Sequence, residues 1–206
     1  MKERPILFNG EMVRAILAGR KTQTRRVIYN PKRLEGLMLA GEEAEWSPFG
    51  RPGDRLWVKE GVWSYDMLPV GRNKQFLWPK FTDEQKARRW FDSACCYTAD
   101  LTEQTWPLGG DGGRLNKCFM PRWASRIDLE VLAVRAERVQ EASTSDIVAE
   151  GRQYEQQSIM AGLHYDRIMH DQFHSLWDSL YAKKGLGWNV NPWVWVVEFT
   201  QAERNK

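Results

Sequence analysis

The sequence predicts a mixed α+β fold built on a small curved sheet or barrel, and three observations carry that expectation. Short apolar runs of strand length recur along the chain, a few amphipathic helical stretches interrupt them, and no regular strand-helix-strand alternation links them into a parallel sheet. At 206 residues and 24.1 kDa the chain can bury one good core, so a single domain spanning 1–206 is expected, with large insertions at about 28–50 and 64–120.

The opening "PILF" is short and apolar enough for a first strand. Asn9 then supplies a side-chain acceptor to cap a helix starting near Gly10, whose inward face is Met12, Val13, Ile16 and Leu17. Gly19 is the natural stop, so Arg20 to Arg26 leaves a helix and enters a strand. From Asn30 to Gly50 the composition shifts to Pro, Gly, Glu and Ala without steady periodicity, which marks the first insertion. "RPGDRLWVKEGVW" reads as a turn made by Pro52, Gly53 and Asp54, followed by a strand. The second insertion runs from Ser64 to Met120, with a short helix expected around "TDEQKARRWF". Its "PLGGDGG" lacks the Lys-Ser or Lys-Thr that a phosphate loop needs.

"ASRIDLEVLAVRAERVQ" alternates Ile127, Leu129, Val131 and Ala133 with other residues and is the most strand-like long segment. "STSDIVAEG" offers Ser and Thr caps, a turn or two of helix, and Gly151 as stop. "DRIMHDQFHSLWDSLYAKKG" repeats apolar residues at Ile168, Phe173, Leu176, Trp177 and Leu180 and predicts an amphipathic helix. "NPWVWVVEF" closes the fold as a buried strand. Eleven tryptophans are dispersed along the chain, so large rings are expected to fill core volume, and one or two can line a slot where a base stacks.

Charge is uneven. Residues 1–40 hold nine Lys or Arg against three Glu, a net +6 in a chain whose total is +3, which points to an anionic partner at one place. The N-terminus lacks a signal-peptide core and "WVWVV" is far short of a bilayer span, so a cytoplasmic protein with no membrane contact is expected. Three cysteines, two of them adjacent at Cys95 and Cys96, form neither an even disulfide framework nor a C-x-x-C spacing. His170 and His174 stand four apart on the long helix but have no H-E-x-x-H pattern or third conventional ligand, so they read as polar helix positions and no metal is expected. Oligomeric state is not readable from the sequence.

The segment "LAGRKTQTRR" is the most chemically loaded. In a straight strand Lys21 and Thr24 point to opposite faces, and they converge only if the chain turns between them, which Gly19 upstream permits. A Lys in a partly dry pocket sheds its proton more readily, neighbouring arginines push the same way, and such a Lys can make a threonine hydroxyl a nucleophile. Taken alone, the cluster reads equally as a solvated basic face or an anion grip. "PRWASR" places Arg122 and Arg126 around Trp123, an alternation suited to stacking and phosphate contact or simply to strand-end solubility.

"ILAGRKTQTRR" resembles the G-x-K-x-x-T-x-R signature of ASCH domains, members of the PUA-like β-barrel superfamily, with Gly19, Lys21, Thr24 and Arg26 at its four positions. "GDRLWVKE" is similar to the family's following G-D-x-L-x-V strand, and "DIVAEG" resembles its acid-bearing helix. "MPRWASRI" and "NPWVWVVEF" look like ASCH-related proteins of bacteriophages and prophages. The resemblance implies a PUA-like barrel that interacts with a nucleoside or nucleic acid, RNA rather than DNA. Small bacterial members hydrolyse N4-acetylcytidine with a Lys, a Thr and a Glu, which match Lys21, Thr24 and Glu150 here, with Arg26 in support. Arg20, Arg25, Arg26, Arg122, Trp123 and Arg126 are then the candidate contacts to substrate or nucleic acid, and no cofactor is implied. Two other readings stay open: a non-catalytic RNA- or DNA-binding module, and a ribonuclease in which Lys21 stabilises phosphate charge.

Overall fold

In a computed structural model the chain is described over residues 1–31, 46–65, 76–101, 113–151 and 165–203. Its elements are β1 (Glu3–Leu7), α1 (Gly10–Leu17), β2 (Gln23–Val27), β3 (Arg55–Lys59), β4 (Val62–Ser64), α2 (Glu84–Ala94), β5 (Cys95–Tyr97), β6 (Gly113–Leu115), β7 (Asp128–Arg138), α3 (Thr144–Ala149), α4 (Tyr165–Tyr181) and β8 (Trp193–Ala202). Helix and sheet are mixed as the sequence predicts. The expected closed barrel is not formed: the larger sheet has the linear order β1-β3-β7-β8-β2, with β1 and β2 at its ends, and β5-β4-β6 make a separate sheet. The alternating pattern that predicts a curved sheet is satisfied by an open one, because closure depends on which end strands meet rather than on periodicity within them.

The described chain groups into two compact units. The first holds residues 18–54 and 130–200, the second chiefly 3–17 and 55–129, and β7 contributes to both.

In the first unit β2 and β8 pair antiparallel, with Thr24 opposite Val197 and Val27 opposite Val194. Val194 to Val197 are all buried, so β8 is covered on both faces, as its unbroken apolar run predicts. The core combines Val27, Val194 and Val196 with Ile147 of α3 and with Met169, Phe173 and Trp177 of α4. Those three α4 residues recur every fourth position and define the buried stripe. The stripe differs slightly from the apolar face that the sequence predicts: Leu180 is exposed, and Met169 takes the inward position. Trp177 donates its indole N–H to the Leu186 carbonyl, a buried ring with its polar edge satisfied.

In the second unit β1 runs parallel to β3, with Ile6 opposite Val58. Asn9 caps α1 as expected, its side-chain oxygen accepting from Met12 N–H at 2.8 Å. The predicted insertion helix is α2, capped by the Asp83 carboxylate on the N–H groups of Gln85 and Lys86. Phe91 of α2 packs with Val62, Leu115, Met120 and Ala124, and around them lie Trp78, Trp90 and Trp123. Trp78 stacks on Phe91 and Trp123 meets both edge-on, so here the tryptophans act as core volume. Trp106 of the same insertion lies outside the described residues.

Candidate functional site

Gly19 adopts φ +69°, the left-handed conformation that ends α1 and turns the chain toward β2. Lys21, two residues on, forms an isolated antiparallel bridge with Glu150, the residue at the C-terminal cap of α3. Thr22 N–H donates to the Ala149 carbonyl, and Phe199 N–H donates to the Thr22 carbonyl. The Thr22 carbonyl thus faces β8 while its N–H meets the end of α3, and the Gln23 carbonyl is left to the Lys21 side chain.

The Lys21 ammonium occupies that edge. Its Nζ donates to the Gln23 carbonyl at 2.8 Å, to the Glu150 carbonyl at 3.0 Å and to Glu150 Oε2 at 2.5 Å. Lys21 is 2% exposed, and the Glu150 side chain retains 10% of its surface. Burial lowers the Lys21 pKa below the ordinary lysine value; the Glu150 carboxylate opposes that shift, and Arg26 and Arg25 reinforce it. Glu150 Oε1 is buried, has no hydrogen-bond partner among the described residues, and faces Arg25 Nη1 at 3.6 Å. Thr24 is 2% exposed. Lys21, Glu150 and the first residues of β2 are therefore brought together, across 129 positions of sequence.

A polar lattice surrounds them. Gln23 and Arg25 share a face of β2, and Arg25 Nη1 donates to Gln23 Oε1 at 2.6 Å. Arg25 also donates to Glu137 Oε1 from Nε at 3.0 Å and from Nη2 at 2.8 Å, and approaches Asp146 at 3.4 Å. Gln23 donates to Asp146 and Glu198, while Arg135 pairs with Glu137, Asp146 and Glu198. Asp146 also closes the Ser143 capping box of α3. Burial alone would raise its pKa, but the Ser143 hydroxyl and N–H, the Gln23 amide and the Arg25 charge hold it well below the usual carboxylate range.

This lattice revises the role expected for Arg25. Its side chain is 1% exposed and committed to internal carboxylates, so it does not present a guanidinium to an outside phosphate. Arg20 donates to the Gly151 carbonyl at 3.1 Å and ties the α1–β2 turn to the end of α3. Arg26, on the opposite face of β2 from Arg25, is largely buried; burial lowers its pKa, and Tyr181 and Glu150 act against that shift. Tyr181, the last residue of α4, is raised by burial and opposed by Arg26.

Arg122, Trp123 and Arg126 belong to the second unit. Arg122 is held by Glu3 at 2.9 Å and Asp128 at 2.9 Å. Arg126 pairs with Glu60 and Asp100 and lies over the Tyr97 ring at 3.9 Å. Both guanidiniums, read as phosphate contacts, are engaged by carboxylates, and Trp123 packs into the aromatic core.

Sequence reasoning missed Gln23, Glu137, Asp146, Glu198, Arg135 and Tyr181. Two local signals were present: Gln23 and Arg25 have strand spacing, and Asp146 and Glu150 are four apart on a helix. Among the described residues no group of three or more His, Cys, Asp or Glu is arranged to hold a metal, and no helix is long and apolar enough to cross a membrane.

Comparison with known proteins adds little. No family model matches the chain, and no curated protein matches it. Among solved structures, the ASCH domain from Lactobacillus crispatus JV V101 aligns over 97% of this chain and 79% of its own, at 9% identity and a TM-score of 0.39. A likeness of that size carries no argument about function.

Proposed function

We propose that the chain is an ASCH-related protein that binds a cytosine nucleoside or nucleotide beside Lys21 and removes an acyl group from its N4 amide. The observation that carries this reading is the buried 2.5 Å contact between Lys21 Nζ and Glu150 Oε2, in the same segment as the buried Thr24. The G-x-K-x-x-T-x-R match at Gly19, Lys21, Thr24 and Arg26 supports it.

The chemistry follows from the pair. Burial favours neutral Lys21, so the proton shared with Glu150 can pass to the carboxylate, leaving an amine and a carboxylic acid. The amine takes the Thr24 hydroxyl proton as Thr24 Oγ1 bonds to the acyl carbon. The carbon-nitrogen bond breaks, and Glu150 returns its proton to the leaving exocyclic nitrogen. Lys21 is then ammonium and Glu150 carboxylate, the resting state. Water hydrolyses the threonine ester and releases the carboxylic acid.

One observation favours a second reading, binding without turnover: all three N–H bonds of the Lys21 ammonium already have acceptors in Gln23 and Glu150. The two readings separate when the chain is incubated with N4-acetylcytidine under chelating conditions and cytidine release is followed. Release that Lys21→Ala, Thr24→Ala and Glu150→Gln each reduce by about a hundredfold or more supports the amidohydrolase, in line with the usual contribution of a positioned acid or base. Salt-dependent binding of single-stranded RNA without any release supports the binding module, and metal-free RNA cleavage that requires Lys21 but not Thr24 supports the ribonuclease.

A further inference from the structure

The inner cations of the Lys21 site are already engaged. Lys21 donates to Gln23 and Glu150, and the Arg25 side chain is 1% exposed against Glu137, so a phosphate on the substrate must be met from elsewhere. We propose that Lys184 and Tyr181, at the C-terminal end of α4, form a phosphate subsite beside the Lys21–Glu150 pair, so that a phosphorylated cytosine nucleotide is taken in preference to the free nucleoside. The inference rests on the reading above that this site takes a cytosine derivative.

Packing builds this corner. Tyr181 lies against the cluster that holds Val27, which follows Arg26 on β2, and Ile147, which stands three residues before Glu150 on α3. Its ring centroid is 4.5 Å from that of Trp177, which fixes its orientation. Burial raises the phenol pKa, the Arg26 charge opposes that shift and Glu150 adds to it, so both charges act on the Tyr181 hydroxyl. Beyond Tyr181 a 3-10 turn (Ala182–Lys184) ends at Gly185 in the left-handed conformation, φ +72°. Leu186 N–H donates to the Tyr181 carbonyl at 3.2 Å, and the Leu186 carbonyl accepts from the Trp177 indole at 2.9 Å, so the turn is held against α4. Lys184 is exposed, with its Nζ 5.2 Å from the Tyr181 ring centroid. Asp178, three residues before Tyr181, is committed to Trp188 N–H and His174, and among the described residues neither Lys183 nor Lys184 enters an ion pair. A phosphate seated between the Lys184 ammonium and the Tyr181 hydroxyl gains a charge-assisted hydrogen bond and a neutral one, and Lys183 adds longer-range attraction.

Isothermal titration of the intact chain with cytidine, cytidine 5′-monophosphate and a short cytidine-containing single-stranded RNA tests it. The monophosphate should bind more tightly than cytidine, and the difference should shrink as salt is raised. Lys184→Gln should cut that preference about fivefold, the upper end for one partly exposed charge contact, and Tyr181→Phe should cut it less while keeping the ring packing. Lys86→Gln removes the same charge from an exposed position on α2 in the other unit and should leave the preference intact. A preference shown by the RNA instead of the monophosphate, with the same response to Lys184→Gln, makes a backbone phosphate the source. Hydrolysis is judged separately by cytidine release from N4-acetylcytidine, so its absence would sink the catalytic reading while the phosphate preference still decides the subsite. No binding by either phosphate-bearing probe, affinities equal to that of cytidine, a preference that survives Lys184→Gln combined with Tyr181→Phe, or one that Lys86→Gln reduces as much would overturn the proposal.

Discussion

Arg25 shows how a residue's role is decided by its neighbours rather than by its type. In "TQTRR" it stands beside Arg26, and a basic cluster after a helix suggests an outward grip. The pairing of β2 with β8 turns it instead onto Glu137, Gln23 and Asp146, none within reach in local sequence except Gln23. Arg25→Ala is therefore expected to act on stability, because it leaves Glu137 and Asp146 partly buried with Arg135 as their one remaining guanidinium partner among the described residues. The expected cost is about 3 kcal/mol, typical of removing one partner of a buried ion pair. Chemical denaturation checks this, and repeating Arg25→Ala in a Glu137→Gln background should recover part of the loss. An unchanged midpoint would mean that the lattice contributes nothing net. Lys21, Thr24, Arg26 and Glu150 stand out in the sequence through the resemblance to the G-x-K-x-x-T-x-R signature and its acid-bearing helix, whereas local spacing alone does not pair Lys21 with a residue 129 positions away, and the bridge to Glu150 brings the two together.

The elements that the sequence predicts well are those with local instructions. Asn9, Asp83 and Ser143 each cap the helix they precede, and Gly19 ends α1 in the left-handed conformation. Strand order and the two-sheet arrangement had no such local instruction, since pairing joins segments far apart in sequence and periodicity is silent on partners. Two glycines separate the local from the nonlocal. A Cβ at Gly19 would meet nothing within 4 Å, so Gly19→Ala should cost about 1 kcal/mol through backbone strain alone. A Cβ at Gly61 would lie 2.3 Å from Thr98 Oγ1, so Gly61→Ala must displace that side chain. Thr98→Ala should then rescue much of the Gly61→Ala loss and none of the Gly19→Ala loss. Thermal melts of the four variants measure this, and equal effects of Thr98→Ala in both backgrounds would contradict the steric account.

At the scale of the whole molecule, opposing titrations shape stability at acid pH. Glu60, fully buried against Arg126, has its pKa raised by burial, and Arg126 resists the shift. The native state holds the Glu60 proton more tightly than the unfolded chain does, so its contribution is complete below 4.5 and is lost as pH rises through the folded value. Asp146 has the other sign. Its burial is outweighed by Ser143, Gln23 and Arg25, its folded pKa lies well below 3.8, and the unfolded chain is the better proton acceptor. The stability it contributes is therefore fully present above 3.8 and is lost as pH falls toward the folded value. Because the two groups pull in opposite directions, the wild-type profile alone does not isolate either, and the comparison that does is Asp146→Asn. That variant keeps most of the shape and a capping oxygen for α3 but cannot titrate. Its melting temperature should lie below that of wild type at pH 7, where the charged contacts to Arg25 and Arg135 are lost. The gap should close as pH falls below 3.8, since the unfolded wild-type chain then takes up a proton at Asp146 that the folded carboxylate still resists. A gap of constant size from pH 7 to pH 2.5 would show that Asp146 acts through shape and capping, and that its charge does not couple α3 to β2.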